Sequence, residues 1–372
     1  MRLKVLIMTL IICVMSILTV GCGKSSTSDG ETVTDDSADS EASSWDIVMI
    51  TDYGTIKDGS YNQGAWEGLC RYADETGASV KYLEPKSADK AGFLEEIKNG
   101  VKNGATVVLC PGYLFEETVY EAQSKYSNVN FIILDGKPHN EDFSEEQIGN
   151  NTESICFAEE QAGFLAGYSA VRDGYTHLGF MGGIPEDSVI RYGYGFVQGA
   201  DYAAIEMGVK INIRYVYMNT FTDEPIVEST ANAWYQDDTQ IIFACGGALG
   251  KGVIRSAEIN DGRVIGVDID QSSESEKVVT SAMKSLGDAV YQSLISYNTG
   301  FFNGGGYIKY DAKSNGVCLP MDTSRFERFS QDDYDSILSR LIDESIVPYN
   351  GVDIGTTQEL TLINTTVTYI VL

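Results

Sequence analysis

The stretch best equipped for chemistry is Thr51-Asp-Tyr-Gly-Thr-Ile-Lys-Asp-Gly-Ser-Tyr-Asn-Gln63. It carries the carboxylates Asp52 and Asp58, aromatic rings and the amide of Asn62, but no His, no Cys and no Ser paired with a base. Such a set offers hydrogen-bond acceptors and stacking surface rather than an activated nucleophile. It follows the apolar run Ile47-Val48-Met49-Ile50 and precedes a helix-like segment beginning near Tyr61. That places it at the carboxyl end of a first strand, where open α/β sheets seat their ligands. It reads as one wall of a binding cleft.

A search for catalytic groups elsewhere finds little. There are 2 histidines, His139 and His177, and neither has Cys or Asp at metal-ligand spacing. No Gly-x-Ser-x-Gly occurs. Gly246-Gly-Ala-Leu-Gly250-Lys251-Gly252 superficially resembles a phosphate loop, but it is one residue short and has Gly where Ser or Thr would hold magnesium. Gly193-Tyr-Gly195-Phe-Val-Gln-Gly199 is one residue off a dinucleotide fingerprint and falls inside an expected helix, where helix packing explains it better. No catalytic residue, metal or cofactor is therefore expected. Asp52, Asp135 and Asp268 each end an apolar strand-like run, and three carboxylates at corresponding positions suggest one shared site. Singly, each could be a helix N-cap. Carboxylates that only accept hydrogen bonds suit a ligand rich in hydroxyl and N–H donors, such as a sugar or a nucleoside. Tyr61 and Tyr192 could stack on a planar base or simply fill the core.

These residues need a scaffold, and the pattern supplies one. From Trp45 onward short apolar strands alternate with amphipathic helices. Strands are expected at 46–51, 79–84, 105–110, 129–134, 177–181, 211–217, 240–244 and 263–267. Helices are expected near 61–76, 89–103, 114–126, 158–172, 189–207, 223–236 and 248–260. This rhythm, run twice, predicts an α/β protein with two parallel sheets facing each other across a ligand cleft. After Asp270 the rhythm changes to a strand at 278–281, a helix over 283–297, strands at 307–310 and 316–319, a helix near 331–345 and a β-prone tail at 360–371. The chain is expected to cross between lobes near 155–160, 281–284 and 311–318. Lobe 1 then comprises 45–157 plus 284–312, and lobe 2 comprises 158–283 plus 313–372.

The amino terminus reads as a targeting signal. Arg2 and Lys4 precede an apolar run from Val5 to Val20, too short to span a bilayer. Leu18-Thr19-Val20-Gly21-Cys22 resembles a bacterial lipobox, which implies removal of residues 1–21 and acylation of Cys22. Residues 22–44 are rich in Ser, Thr, Asp and Glu and predict a disordered tether, roughly 25 Å from end to end. The net charge of −28 argues against nucleic acid as a partner. Beyond Cys13 and Cys22, 5 of the 7 cysteines remain, widely spaced and without C-x-x-C, so no disulfide framework is signalled.

Residues 46 to about 300 resemble the basic membrane protein family, the PnrA-like purine nucleoside-binding lipoproteins of bacterial ABC transporters. The stretches that carry the resemblance are Thr51–Gln63, Phe131-Ile-Ile-Leu-Asp135, Glu160-Gln-Ala-Gly-Phe-Leu-Ala-Gly-Tyr168, Gly179-Phe-Met-Gly-Gly183, Tyr192–Gly199, Gly266-Val-Asp-Ile-Asp-Gln271 and Thr280-Ser-Ala-Met-Lys284. The resemblance implies a type I periplasmic-binding-protein fold, two Rossmann-like lobes joined by three crossovers at a hinge. It also implies that Asp268 and Lys284 take ribose hydroxyls with Asp52 nearby, and that Asp135 reads the base edge. Tyr61 and Tyr192 would sandwich the base, Gly246 would admit it to the backbone, and Asn62 would assist. The family usually has Phe where the two tyrosines stand. The expected protein is a lipid-anchored, extracytoplasmic monomer. It would capture a purine nucleoside (guanosine, inosine or adenosine) and deliver it to an ABC permease without chemistry. The alternative is a sugar- or signal-binding lipoprotein of the same fold, feeding a transporter or a sensor kinase.

Overall fold

The computed structural model describes residues 44–352 and 357–371, all within one compact unit. Residues 1–43, with the expected signal segment, the expected acylation site Cys22 and nearly all of the expected tether, lie outside the described residues.

The first sheet is wholly parallel and contains β1 (Ile47–Ile50), β2 (Val80–Leu83), β3 (Val107–Pro111), β4 (Asn130–Leu134), β5 (Thr152–Phe157) and β11 (Gly306–Tyr310). Its order is β11-β5-β4-β3-β1-β2. The second contains β6 (His177–Gly182), β7 (Ile211–Tyr217), β8 (Ile241–Cys245), β9 (Arg263–Asp268), β10 (Val278–Lys284), β12 (Val317–Cys318) and β13 (Thr365–Tyr369), in the order β12-β10-β9-β8-β6-β7-β13. Only the short β12 runs antiparallel. Central strands such as β1, β3 and β8 are buried along their whole length, as parallel strands covered on both faces must be. Apart from the added edge strands, both sheets share one order, second-first-third-fourth-fifth. Each therefore has its switch point beside its first strand, β1 or β6, and the crevice at that point is where such sheets bind.

The helices are α1 (Tyr61–Thr76), α2 (Lys90–Lys102), α3 (Glu116–Lys125), α4 (Glu159–Asp173), α5 (Asp187–Met207), α6 (Pro225–Gln236), α7 (Leu249–Asn260), α8 (Leu286–Asn298) and α9 (Gln331–Ile342). The chain passes between the sheets three times, after β5, after β10 and after β11.

Three expectations need correction. Strand β5 is absent from the expected strands, because Glu153 and Ser154 interrupt its apolar run. Both are nonetheless buried, with Glu153 accepting the Ser293 hydroxyl and Ser154 donating to the Gly136 carbonyl at 2.6 Å. Met283 and Lys284 do not open a helix but close β10, so Lys284 stands at a strand end. The helix expected to 345 stops at Ile342, although its start is fixed by a capping box between Ser330 and Asp333. The β-prone tail finds its place as β13, parallel to β7.

Two of the fingerprint-like glycines, Gly195 and Gly199, pack helices, whereas Gly193 makes room for the Tyr215 hydroxyl of β7, 1.9 Å from where its Cβ would lie. Gly163 and Gly167 of α4 face Gly195 and Gly199 of α5 so closely that an added Cβ would lie 2.2 Å from the Tyr192 carbonyl oxygen, or 2.0 Å from those of Phe196, Glu160 and Phe164, respectively. Backbone meets backbone, and neither helix can yield locally. This contact fixes Tyr192 on α5 relative to Glu159 at the start of α4. Gly195→Ala is expected to lower stability by about 3 kcal/mol or more, beyond the ordinary overpacking cost. Gly250→Ala in α7, where an added Cβ meets nothing within 4 Å, should be neutral or add about 0.5–1 kcal/mol. Urea unfolding of the two variants beside the parent checks both.

Candidate functional site

The carboxyl ends of β1, β3 and β4 face those of β6, β8 and β9 across one cavity. Asp52, Tyr61, Asn62, Asp135, Tyr192, Gly246, Asp268 and Lys284 all line it. The loop Thr51–Ser60 forms one wall. Asp58 accepts the backbone N–H groups of Ser60, Asn62 and Gln63 at 2.8, 3.0 and 3.2 Å, so it caps α1 and aims Tyr61 at the cavity. Asp52 is not a helix cap. It accepts the Gly54 N–H at 3.0 Å and the Asn62 side-chain amide at 2.9 Å, and that amide also reaches Asp58 at 3.0 Å. Asn62 thus spends its donors on two acids, and its Oδ1 has no hydrogen-bond partner among the described residues.

Asp135 and Asp268 share an unusual backbone state, with φ of 52° and 68°. Left-handed non-glycine residues are uncommon, Asp tolerates the state better than most, and such outliers gather at functional sites. Here the bend turns each strand-end carboxylate into the cavity.

Between them sits Lys284, 2% exposed. Its Nζ lies 2.5 Å from Asp135 Oδ2 and 3.0 Å from Glu159 Oε1, and within 5.2, 5.4 and 5.6 Å of the ring centroids of Tyr61, Tyr192 and Phe157. Glu159 in turn takes Arg191 Nε at 2.6 Å. A buried line of alternating charge therefore runs Arg191–Glu159–Lys284–Asp135. Burial alone would discharge the ammonium, but the Asp135 and Glu159 carboxylates hold its pKa above the ordinary lysine range. Burial would likewise raise Glu159, yet Arg191 and Lys284 bring it down to about 2. Asp135 is pushed up to about 6 by burial, which the attraction of Lys284 only partly offsets. Asp268 is also pushed up to about 6 by burial, against the pull of Lys284 and the Ser60 hydroxyl.

The two tyrosine hydroxyls differ. Tyr192 donates to the Ala282 carbonyl at 3.2 Å, whereas the Tyr61 hydroxyl is buried toward the Asp135 carboxylate without a well-aligned hydrogen bond. Burial and that carboxylate both push the Tyr61 pKa well above its usual value. Asp135 Oδ1 also lacks a hydrogen-bond partner among the described residues. Buried acceptors left open beside aromatic faces are what a ligand bearing N–H or O–H groups would complete. Gly246 has another reason to be glycine: an added Cβ would lie 3.0 Å from the backbone of Gly183.

Sequence reasoning missed Glu159, Arg191 and Glu186. Glu186 lines the cavity and caps α5 by accepting the Ser188 and Val189 N–H groups at 3.0 and 3.2 Å. Acids at helix starts are common enough to hide such roles, since they also complement the helix dipole. His177 is the exposed first residue of β6. The five cysteines among the described residues are free thiols. No helix among the described residues is long and apolar enough to cross a membrane.

The chain is similar to known proteins along most of its length. The family model for PnrA-like ABC transporter substrate-binding proteins matches residues 46–351. Basic membrane protein B of Borrelia garinii subsp. bavariensis is 31% identical over 314 residues, covering 82% of this chain and 87% of that protein. The ABC transporter nucleoside-binding protein BmpA of Lactococcus lactis subsp. cremoris is 27% identical over 303 residues, covering 75% of this chain and 82% of its own. Among solved structures, an ABC transporter solute-binding protein from Aeropyrum pernix K1 superposes with a TM-score of 0.73 at 19% identity, over 83% of this chain and 94% of that one. That likeness establishes the fold, two α/β lobes of the type I periplasmic-binding-protein kind.

The raised pKa of Asp268 has a consequence for stability. A carboxyl that holds its proton more tightly when folded adds stability below its unfolded pKa near 4, and that contribution is lost as pH climbs through about 6. The span is worth on the order of 2–3 kcal/mol. Asp268→Asn should flatten the rise in urea-unfolding free energy seen as pH falls from 7 to 4.5. Parallel pH profiles for parent and variant would contradict the assignment.

Proposed function

We propose, for a chain that belongs to the family of PnrA-like ABC transporter substrate-binding proteins, that it captures purine nucleosides between its lobes and hands them to a membrane permease. The observation that carries this reading is the convergence of Tyr61, Tyr192, Asp135, Asp268 and Lys284 on one buried cavity. A purine stacked between two tyrosine rings would gain about 1–3 kcal/mol per contact by the precedent of nucleic-acid binders. Charge-assisted bonds from ribose hydroxyls to Asp268, and from Lys284 to a ribose oxygen, would add about 1.5–3 kcal/mol each. Asp52 stands near that end, oriented by Asn62. Asp135 meets the base edge, where its open Oδ1 accepts an N–H.

The name of the Lactococcus lactis relative, a nucleoside-binding protein, agrees with this ligand class. The cleft closes by a hinge at the three crossings, and the closed form is what the permease meets. The protein works outside the cytoplasm on a lipid anchor at Cys22, which several acyl chains would make durable. Delivery needs no bond broken, and the cavity's charged groups read as ligand-holding rather than catalytic.

An ionised Asp135 accepts from the N1–H of guanosine or inosine, whereas adenosine presents an N1 acceptor that would require the carboxyl protonated. Calorimetry at neutral pH should therefore show guanosine or inosine binding more tightly than adenosine. Adenosine binding tighter with no proton uptake would overturn the role given to Asp135, and no affinity for any nucleoside would overturn the function. For the anchor, Cys22→Ser is expected to move the protein from the membrane fraction to the soluble extracytoplasmic fraction on cell fractionation. Full retention in the membrane would exclude acylation at Cys22 as the tether.

A further inference from the structure

We propose that Ser60 and Gln271, which do not line the cavity, act with Asp268 as a clasp that closes the lobes and sets how long a ligand is retained. Ser60 belongs to the six-stranded lobe, at the start of α1; Asp268 and Gln271 belong to the seven-stranded lobe, at and just after the end of β9. The Ser60 hydroxyl donates to Asp268 Oδ2 at 2.5 Å, and the Gln271 side-chain amide donates to the Gly59 carbonyl at 2.8 Å. Ser60 is fully buried and Gln271 is buried beside it. Two adjacent residues of one lobe are therefore gripped by two nearby residues of the other, in a site closed to water.

Both ends of the clasp are prearranged. Gly59 has φ of 76°, the left-handed state glycine adopts without strain, and Asp58 pins the turn by accepting the Ser60 N–H. Gln271 is held from its own side, with its Oε1 accepting the Val267 N–H at 3.2 Å and its N–H donating to Ser281 Oγ at 3.0 Å. Gly266 leaves the space that this side chain needs, since an added Cβ there would lie 2.3 Å from Gln271 Oε1. A peripheral third contact runs from Lys251 Nζ to the Lys57 carbonyl at 3.2 Å. Across the mouth, the rings of Tyr53 and Phe221 approach to 6.4 Å between centroids.

None of these bonds passes through a ligand, so they favour closure on their own account. Asp268 ties closure to binding, because one carboxylate holds the opposite lobe and also faces the cavity. A hydrogen bond to a buried carboxylate corresponds to roughly ten- to a hundredfold in an equilibrium. A ligand enters the open form and leaves by reopening. Losing the clasp should therefore raise the dissociation rate and leave association nearly unchanged.

The test uses the full chain. Hydrogen exchange of the ligand-free protein should show that Gln271→Ala, and Ser60→Ala with it, deprotect the opposite lip at residues 219–222 while α4 and α5 stay protected. Stopped-flow binding of inosine should show dissociation at least about fivefold faster with association within about twofold. Ser60→Thr, which keeps the hydroxyl, should restore the slow rate. Unchanged protection at the opposite lip, or slower association without faster dissociation, would overturn the clasp. The kinetic arm rests on the nucleoside-binding reading and the exchange arm does not. If neither inosine nor any other purine nucleoside binds the parent, the proposed function fails and the exchange result still decides the clasp.

Discussion

A buried lysine needs company. Lys284 is almost wholly withdrawn from water, and an ammonium at such a place would lose its proton unless anions surrounded it. Asp135 and Glu159 meet that demand from two directions, Asp135 from the end of β4 and Glu159 from the first turn of α4. Each of those carboxylates is itself buried and needs the cation, with Arg191 holding the far side of Glu159. Removing any one would leave a charge uncompensated in the interior, which typically costs several kcal/mol. The same lysine lies near the Tyr61 and Tyr192 rings, so the element that stabilises the crossing between lobes also shapes the ligand cavity.

The scaffold exists to hold those charges in register. Two sheets of equal strand order present their switch points to each other, which brings Asp52 and Asp135 of one lobe opposite Gly246 and Asp268 of the other. The contact between α4 and α5 is rigid because glycines let the two backbones touch, and it sets the distance from Arg191 to Glu159. Strand-end aspartates in the left-handed state complete the arrangement. Local backbone cost is tolerated where it turns a carboxylate into the cavity. The acidic bias of the cavity matches a ligand with several donors, and it leaves Lys284 as the lone cation among the lining residues.

Much of this is legible in the sequence. Alternating strands and helices located both sheets, and the recurrence of Asp at strand ends drew Asp52, Asp135 and Asp268 together. What escaped was whatever looked ordinary. Strand β5 carries Glu153 and Ser154 on buried positions, and their satisfaction depends on Ser293 and the Gly136 carbonyl, which lie 140 and 18 residues away along the chain. Glu159 and Glu186 resemble the acids that begin many helices, and only the position of Lys284 and of the cavity sets them apart. The helical spacing of Met283–Tyr297 draws Lys284 into a helix, although Ser285 separates the strand from the helix. Gly246 lines the cavity as expected, and the backbone of Gly183, 3.0 Å from an added Cβ, supplies a second reason for glycine that no spacing pattern shows. Patterns of spacing reveal faces of elements; pairings across more than a hundred residues need the fold.

The central claim is capture of an intact purine nucleoside without chemistry. Its most direct test is mass spectrometry of the small molecule released by denaturing protein freshly purified from its own membranes. The account predicts an intact purine nucleoside, at a stoichiometry approaching one per chain. A free sugar, or a free base left after incubation with pure nucleoside, would contradict it.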